Sequence, residues 1–259
     1  MKIEQIIAAI EDFAPLYWQE DFDNSGIQVG NVDQEAKGVL LCLDITEAVV
    51  EEAITLNCNL IISHHPLLFK SLRTLTGKTY IERCVVTACK NDIVIYAAHT
   101  NLDNAVGGVN YRLSEKIGLQ DIRILQPKDG QNYGSGAIGE LPEVMDEAAF
   151  LEKIKNTFGL ASLKHSHYTG KIIRKVALCG GSGAFLIPQA IASGVDVFLT
   201  GEARYNDYYD VENRILLAVL GHYETELCTK EIFFDIISEK IPNFALHFSK
   251  TNINPVNYR

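Results

Sequence analysis

The chain has 259 residues, 47% of them hydrophobic and 22% charged, the proportions of a globular protein with enough length for one large core or two smaller ones. A formal net charge of −10 and a pI near 5.2 argue against nucleic acid as a partner, because binding to a phosphate backbone is driven by Lys and Arg displacing counterions. Six scattered cysteines without a Cys-x-x-Cys pair point to a reducing, cytoplasmic setting rather than a disulfide scaffold.

At the N-terminus Ile3, Ile6, Ile7, Ile10 and Phe13 recur at helical spacing, with Glu and Gln between them. This predicts an amphipathic helix packed on a core, not a secretion signal. No stretch approaches the roughly 20 apolar residues of a membrane span. From Val39 onward short β-type runs alternate with helical patterns, so a largely parallel sheet covered by helices is expected. Val39 to Leu43 reads as a strand, and Thr46 to Asn57 as a helix that Thr46 caps. Leu60 to Ser63 is a buried strand ending at His64 and His65, and Ile93 to Ala98 is another, ending at His99.

Gln120 to Lys171 is richer in Gly, Lys and Asp and includes Asp129-Gly130 and Gly134-Ser135-Gly136. It reads as a connection plus the first strand and helix of a second lobe. There the plan repeats. Val176 to Cys179 leads into Gly180-Gly181-Ser182-Gly183, Val197 to Thr200 ends at Gly201-Glu202, and Ile215 to Leu220 ends at Gly221-His222. Val39, Cys42 and His64-His65 align with Val176, Cys179 and Gly201-Glu202 at one offset. A second offset lays His99 on His222 and Asp103 on Glu226. We therefore expect an α/β protein of two related lobes, with mostly parallel or mixed sheets and a site between the lobes. The first lobe takes residues 1–124 and 229–259, and the second 125–228. The tail, 251–259, has little to bury.

Ligands in open α/β sheets collect at the carboxyl ends of strands, where these histidines and carboxylates stand. Imidazole and carboxylate together suit a divalent transition metal: zinc, iron, manganese, cobalt or nickel. His64, His65, Asp103, His222 and Glu226 exceed the needs of one tetrahedral zinc and fit two ions sharing a carboxylate. Taken singly, each has a plainer reading. His64-His65 could order the turn before Pro66, Asp103 could start a turn before Gly107-Gly108, and His222 with Glu226 could be a surface pair on a helix. His99 is the candidate proton-transfer group. His165 and His167 read as a polar exposed face, and Gly180 to Gly183 as a tight turn rather than a phosphate loop. Lys70, Arg73 and Lys78 either steer a small anionic substrate or form a solvated basic stretch.

Several stretches resemble the dinuclear-metal family of GTP cyclohydrolase I type 2 homologues, the Nif-three-like family, in its short form. They are Asp23-Asn-Ser-Gly-Ile-Gln-Val-Gly30, Ile61-Ile-Ser-His-His-Pro-Leu-Leu-Phe69, Ala98-His-Thr-Asn-Leu-Asp103 with Gly107-Gly-Val-Asn110, Cys179-Gly-Gly-Ser-Gly183, Leu199-Thr-Gly-Glu202 and Gly221-His-Tyr-Glu-Thr-Glu226. The resemblance implies two divalent metal ions per chain on the five ligands named above, and a toroidal homohexamer. The chain departs from the family pattern at Asn206, where a histidine often follows the acidic residue. Two functions follow as expectations: a metal-dependent hydrolase of a small phosphorylated or nucleotide-like compound, cyclohydrolase-like by resemblance, or a non-catalytic, metal-binding regulatory hexamer.

Overall fold

The computed structural model describes residues 1–128 and 130–257. Asp129 and the last two residues of the tail lie outside it. Along the chain the elements run α1 (Ile3–Phe13), β1 (Gly26–Val29), β2 (Val39–Cys42), α2 (Glu47–Thr55), β3 (Leu60–Ser63), α3 (Tyr80–Lys90), β4 (Val94–Ala97), α4 (Thr100–Asp103) and α5 (Val109–Ile117). They continue with β5 (Gln120–Pro127), β6 (Gly134–Asp146), α6 (Glu147–Phe158), β7 (Lys164–His165), β8 (Ile172–Cys179), α7 (Ile187–Ala192), β9 (Val197–Thr200), α8 (Asp207–Asp210), β10 (Leu216–Val219), α9 (His222–Glu226), α10 (Thr229–Lys240) and β11 (Leu246–Phe248). The fold is mixed α/β, with two sheets covered by helices. It packs as two compact units: Met1–Leu102 with the stretch that begins at Thr229, and Asp103–Cys228.

The first unit is a five-stranded sheet in the order β1-β4-β3-β2-β11. β2, β3, β4 and β11 run parallel, and β1 is antiparallel at the edge. All four residues of β2, β3 and β4 are buried, as strands covered on both faces require. Leu40 and Cys42 pack with Val49, Val50 and Ala53 of α2 and with Cys84, Val85 and Ala88 of α3. α10 lies against β2 and α1 against α10, burying Ile3, Ile6, Ile10, Phe233 and Ile237. Thr46 caps α2, its hydroxyl accepting from Val49 N.

The second unit is a six-stranded sheet in the order β5-β6-β8-β9-β10-β7. Only β8, β9 and β10 are parallel; β5, β6 and β7 add antiparallel pairs at the two edges. The antiparallel β5–β6 ribbon was not expected. β6 carries Gly134, Gly136, Gly139 and Pro142, which hide its strand pattern. The β6–β8 register shifts between Glu140 and Met145, the stretch holding Pro142, which has no N–H to give to a ladder.

The two parallel triplets share their registers. Val39 pairs with Leu60 and Leu60 with Val94; Val176 pairs with Val197 and Val197 with Leu216. The third strands therefore correspond as Val94 to Leu216, one residue short of the offset that lays His99 on His222. Ala98 N donates to Ser63 O, and Leu220 N to the equivalent Thr200 O, so His99 corresponds to Gly221.

Candidate metal centre

In-register parallel strands end together, and adjacent strands lie about 4.8 Å apart. Cys42, Ser63 and Ala97 share the last row of β2, β3 and β4. The next rows hold Asp44, then His64 and His65, then His99. His64 N donates to Cys42 O and His65 N to Leu43 O, which carries the sheet pattern into the turn. The three imidazoles consequently gather. Ring centroids are 5.1 Å apart for His64 and His65, 5.1 Å for His64 and His99, and 5.4 Å for His65 and His99. Each ring offers a nitrogen, and these nitrogens lie within 4.8 Å of one another. His99, expected one step away from the ligands, is part of this group.

Every one of the three rings has its Nδ1 engaged by an oxygen. His64 Nδ1 lies 2.9 Å from Ala98 O, His65 Nδ1 2.7 Å from Asp44 Oδ1, and His99 Nδ1 2.7 Å from Asp23 Oδ1. A carbonyl or ionised carboxylate can only accept, so each Nδ1 carries the proton and each neutral ring keeps its lone pair on Nε2. This is how metal-binding histidines are oriented and made basic. Burial alone would raise the Asp23 carboxyl. Hydrogen bonds from His99, Thr100 and the Asn24 amide outweigh it and hold the carboxyl well below the usual carboxylate range. Asp23 also accepts from Thr100 N and the Thr100 hydroxyl.

In the second unit His222 and Glu226 stand four residues apart on α9, and His222 Nε2 lies 2.9 Å from Glu226 Oε2. Glu202, just past β9, receives His222 Nδ1 at 3.0 Å and the Ser182 hydroxyl at 2.7 Å. The Ser182 hydrogen bond is the main reason that the Glu202 carboxyl sits below its ordinary value, with His222 adding to it against partial burial. Glu226 is buried. Gly181, at φ +56°, passes so close that a Cβ there would overlap Glu226 Oε1, and a Cβ on Gly201 would press on Gly181 O and Thr225 Oγ1. Gly181 N donates to Thr225 Oγ1 at 3.0 Å. The glycine run is thus a close-packed turn against the Glu226 carboxylate.

Asp103 ends the single turn α4, which follows His99 directly, and its carbonyl accepts from Asn110 Nδ2 at 3.0 Å. Asn206 lies just before α8 in an exposed stretch. His165 is exposed on β7 and stacks on Tyr168, while His167 is exposed beside it. Spacing alone did not mark Asp44, Asp23 or Glu202 as partners of the histidines, nor Ser182 as the partner of Glu202. Asp44 and Glu202 carried one legible signal, a carboxylate just past a buried strand.

These features define a class: an α/β protein of two sheet-bearing units whose strand ends carry histidine and carboxylate groups able to hold divalent metal. Among the described residues no helix is long and apolar enough to cross a membrane. The chain belongs to the Duf34/NIF3 (NGG1p interacting factor 3) family, whose profile matches residues 1–255. It is similar to the GTP cyclohydrolase 1 type 2 homolog of Clostridium perfringens, 36% identical over 231 residues covering 87% of each chain. The homolog of the same name from Lactococcus lactis is 34% identical over 263 residues, 98% of each. The crystal structure of a Bacillus cereus protein related to NIF3 superposes with a TM-score of 0.94 at 26% identity, covering 100% of this chain and 99% of that one.

Proposed function

We propose that this protein holds two divalent metal ions on His64, His65, Asp103, His222 and Glu226, and hydrolyses a small phosphorylated or nucleotide-like compound. One observation carries the reading: three imidazoles gather past the ends of β3 and β4, each with Nδ1 committed as a donor, which turns Nε2 into the ligating atom of His64 and His65 and the proton-carrying atom of His99. Structural histidines have no need of that common tautomer, whereas metal ligands do. The mixture of imidazole and carboxylate fits zinc, iron, manganese, cobalt or nickel.

Bound ions would supply Lewis acidity toward a phosphoryl or carbonyl oxygen. The chain's own residues do the rest. Asp44 fixes the His65 ring, and Asp23 fixes His99 so that its Nε2 can take up or return a proton. Glu202, itself held by the Ser182 hydroxyl, fixes His222 from its Nδ1 side. The acidic surface favours a small anion over a polynucleotide as substrate, and the family resemblance supports a cytoplasmic homohexamer.

Elemental analysis of the purified protein should give a metal-to-chain ratio near two. Asp44→Asn should weaken metal affinity by about 10–100-fold, and His65→Ala should lose metal and turnover of nucleotides or phosphoesters together. Release of formate from GTP would mark the cyclohydrolase form of the reaction. Equal turnover by wild type and His65→Ala would remove the hydrolase reading.

A further inference from the structure

The segment from Phe22 to Gln28 does more than orient His99. Asn24 Nδ2 donates to Leu68 O at 2.8 Å, and Leu68 N donates to Gln28 Oε1 at 3.1 Å. The same segment reaches the His99 turn through Asp23 Oδ1 and through Ser25 Oγ, which accepts from His99 N at 3.2 Å. One short stretch therefore ties the turn carrying His64-His65 to the turn carrying His99.

Beside these ties two phenyl rings stand in solvent, Phe22 at 67% exposure and Phe69 at 46%. Their centroids are 6.4 Å apart at 59°, and the Phe69 ring lies 6.2 Å from the His99 imidazole at 79°. Apolar rings left in water give up the stabilisation of burial. Here the residues next to them, Asp23 and Leu68, are pinned by hydrogen bonds, so the rings are displayed in fixed places. A positioned, exposed aromatic pair against a polar cluster marks a contact surface. The patch is small: a stable protein interface takes about 800 Å² from each partner, and two rings bordered by Asn24 and Gln28 offer far less. Lys70 follows Phe69 directly and Arg73 lies three residues on; both are exposed, and neither meets a carboxylate among the described residues.

We propose that Phe22 and Phe69 seat the flat heteroaromatic ring of the substrate, a nucleobase carrying phosphate, with Lys70 and Arg73 receiving the anion. This rests on the hydrolase reading of the neighbouring imidazoles and narrows its substrate class. Aromatic stacking gives sequence-tolerant hold on a base because every base has a π-face, and the basic pair matches a phosphate in an otherwise acidic chain.

The test is calorimetric titration of the full chain, chelator-stripped and metal-loaded, with guanosine 5′-monophosphate and with ribose 5-phosphate as the ringless probe. Wild type should bind the nucleotide at least about tenfold more tightly, a difference of ~1.4 kcal/mol. Phe22→Leu and Phe69→Leu should each remove most of that preference without changing ribose 5-phosphate binding, while Phe69→Trp restores it. Lys70→Ala with Arg73→Ala should weaken both probes alike. Equal affinity of the two probes for wild type, or undiminished nucleotide binding in both leucine variants, would overturn the proposal. A changed oligomer mass in those variants with nucleotide binding intact would likewise overturn it, making the rings a subunit contact. Discrimination between probes in the stripped protein reads the aromatic seat. Metal content and turnover, compared with His65→Ala, read the hydrolase assignment separately.

Discussion

Asp23 concentrates several tasks in one carboxylate. It holds His99 Nδ1, the Thr100 amide and the Thr100 hydroxyl, and its side chain is wholly shielded from solvent. Its folded pKa lies below the value of about 3.9 expected in the unfolded chain. The stabilisation it supplies is therefore fully present above pH ~4 and is lost as pH falls toward the folded value. Asp23→Asn has no such proton to gain. Urea midpoints measured near pH ~6 and pH ~3 should fall less for this variant than for wild type. An equal fall in both would show that the Asp23 charge is not what the fold favours.

At the scale of elements, the paired strand ends account for what can and cannot be substituted. Cys179, Thr200 and Val219 share the last row of the parallel triplet in the second unit, so the three turns that follow crowd together. Gly181 meets this crowding twice, through a left-handed φ and through contact with Glu226. Gly181→Ala should destabilise the fold by ~1–3 kcal/mol and displace the Glu226 carboxylate, lowering bound metal. Unfolding midpoints and metal content measure the two effects. A variant with wild-type values for both would refute the close-packed account of this turn. The C-terminal stretch shows the same principle in the first unit. Asn252 Oδ1 accepts from Leu43 N and Asp44 N at 2.6 and 3.2 Å, and Glu52 accepts from the Ser249 and Thr251 hydroxyls at 2.7 and 2.8 Å. Asn252, more than two hundred positions downstream, thus holds the strand end from which Asp44 orients His65.

For the molecule as a whole, metal binding and folding should be linked. Ions that bind the native state and not the unfolded chain stabilise it by about 2.7 kcal/mol at a hundredfold excess over Kd. At roughly 2–4 °C per kcal/mol for a chain approaching this size, chelation should lower Tm by several degrees. Calorimetry with and without EDTA tests this. An unmoved transition in protein shown to lose its metal would mean that the ions contribute nothing to the native fold.

Much of this architecture was legible in the chain. The buried runs at Val39, Leu60, Val176 and Val197 show continuous apolar residues of strand length, a pattern set by burial on both faces. His222 and Glu226 share a helix face because 3.6 residues make a turn. The β5–β6 ribbon was hidden, since glycines and Pro142 remove the alternation that announces a strand. The one-residue shift between His99 and His222 was hidden as well, because register is fixed by ladder hydrogen bonds and not by residue similarity. By itself the sequence determined that imidazoles and carboxylates follow buried strands, and so which groups are available for chemistry. Only the tertiary structure decided that His64, His65 and His99 meet, and which nitrogen each presents. Asp44 and Asp23 reach their histidines across 21 and 76 residues of chain. A ring's tautomer depends on the oxygen that packing brings to it.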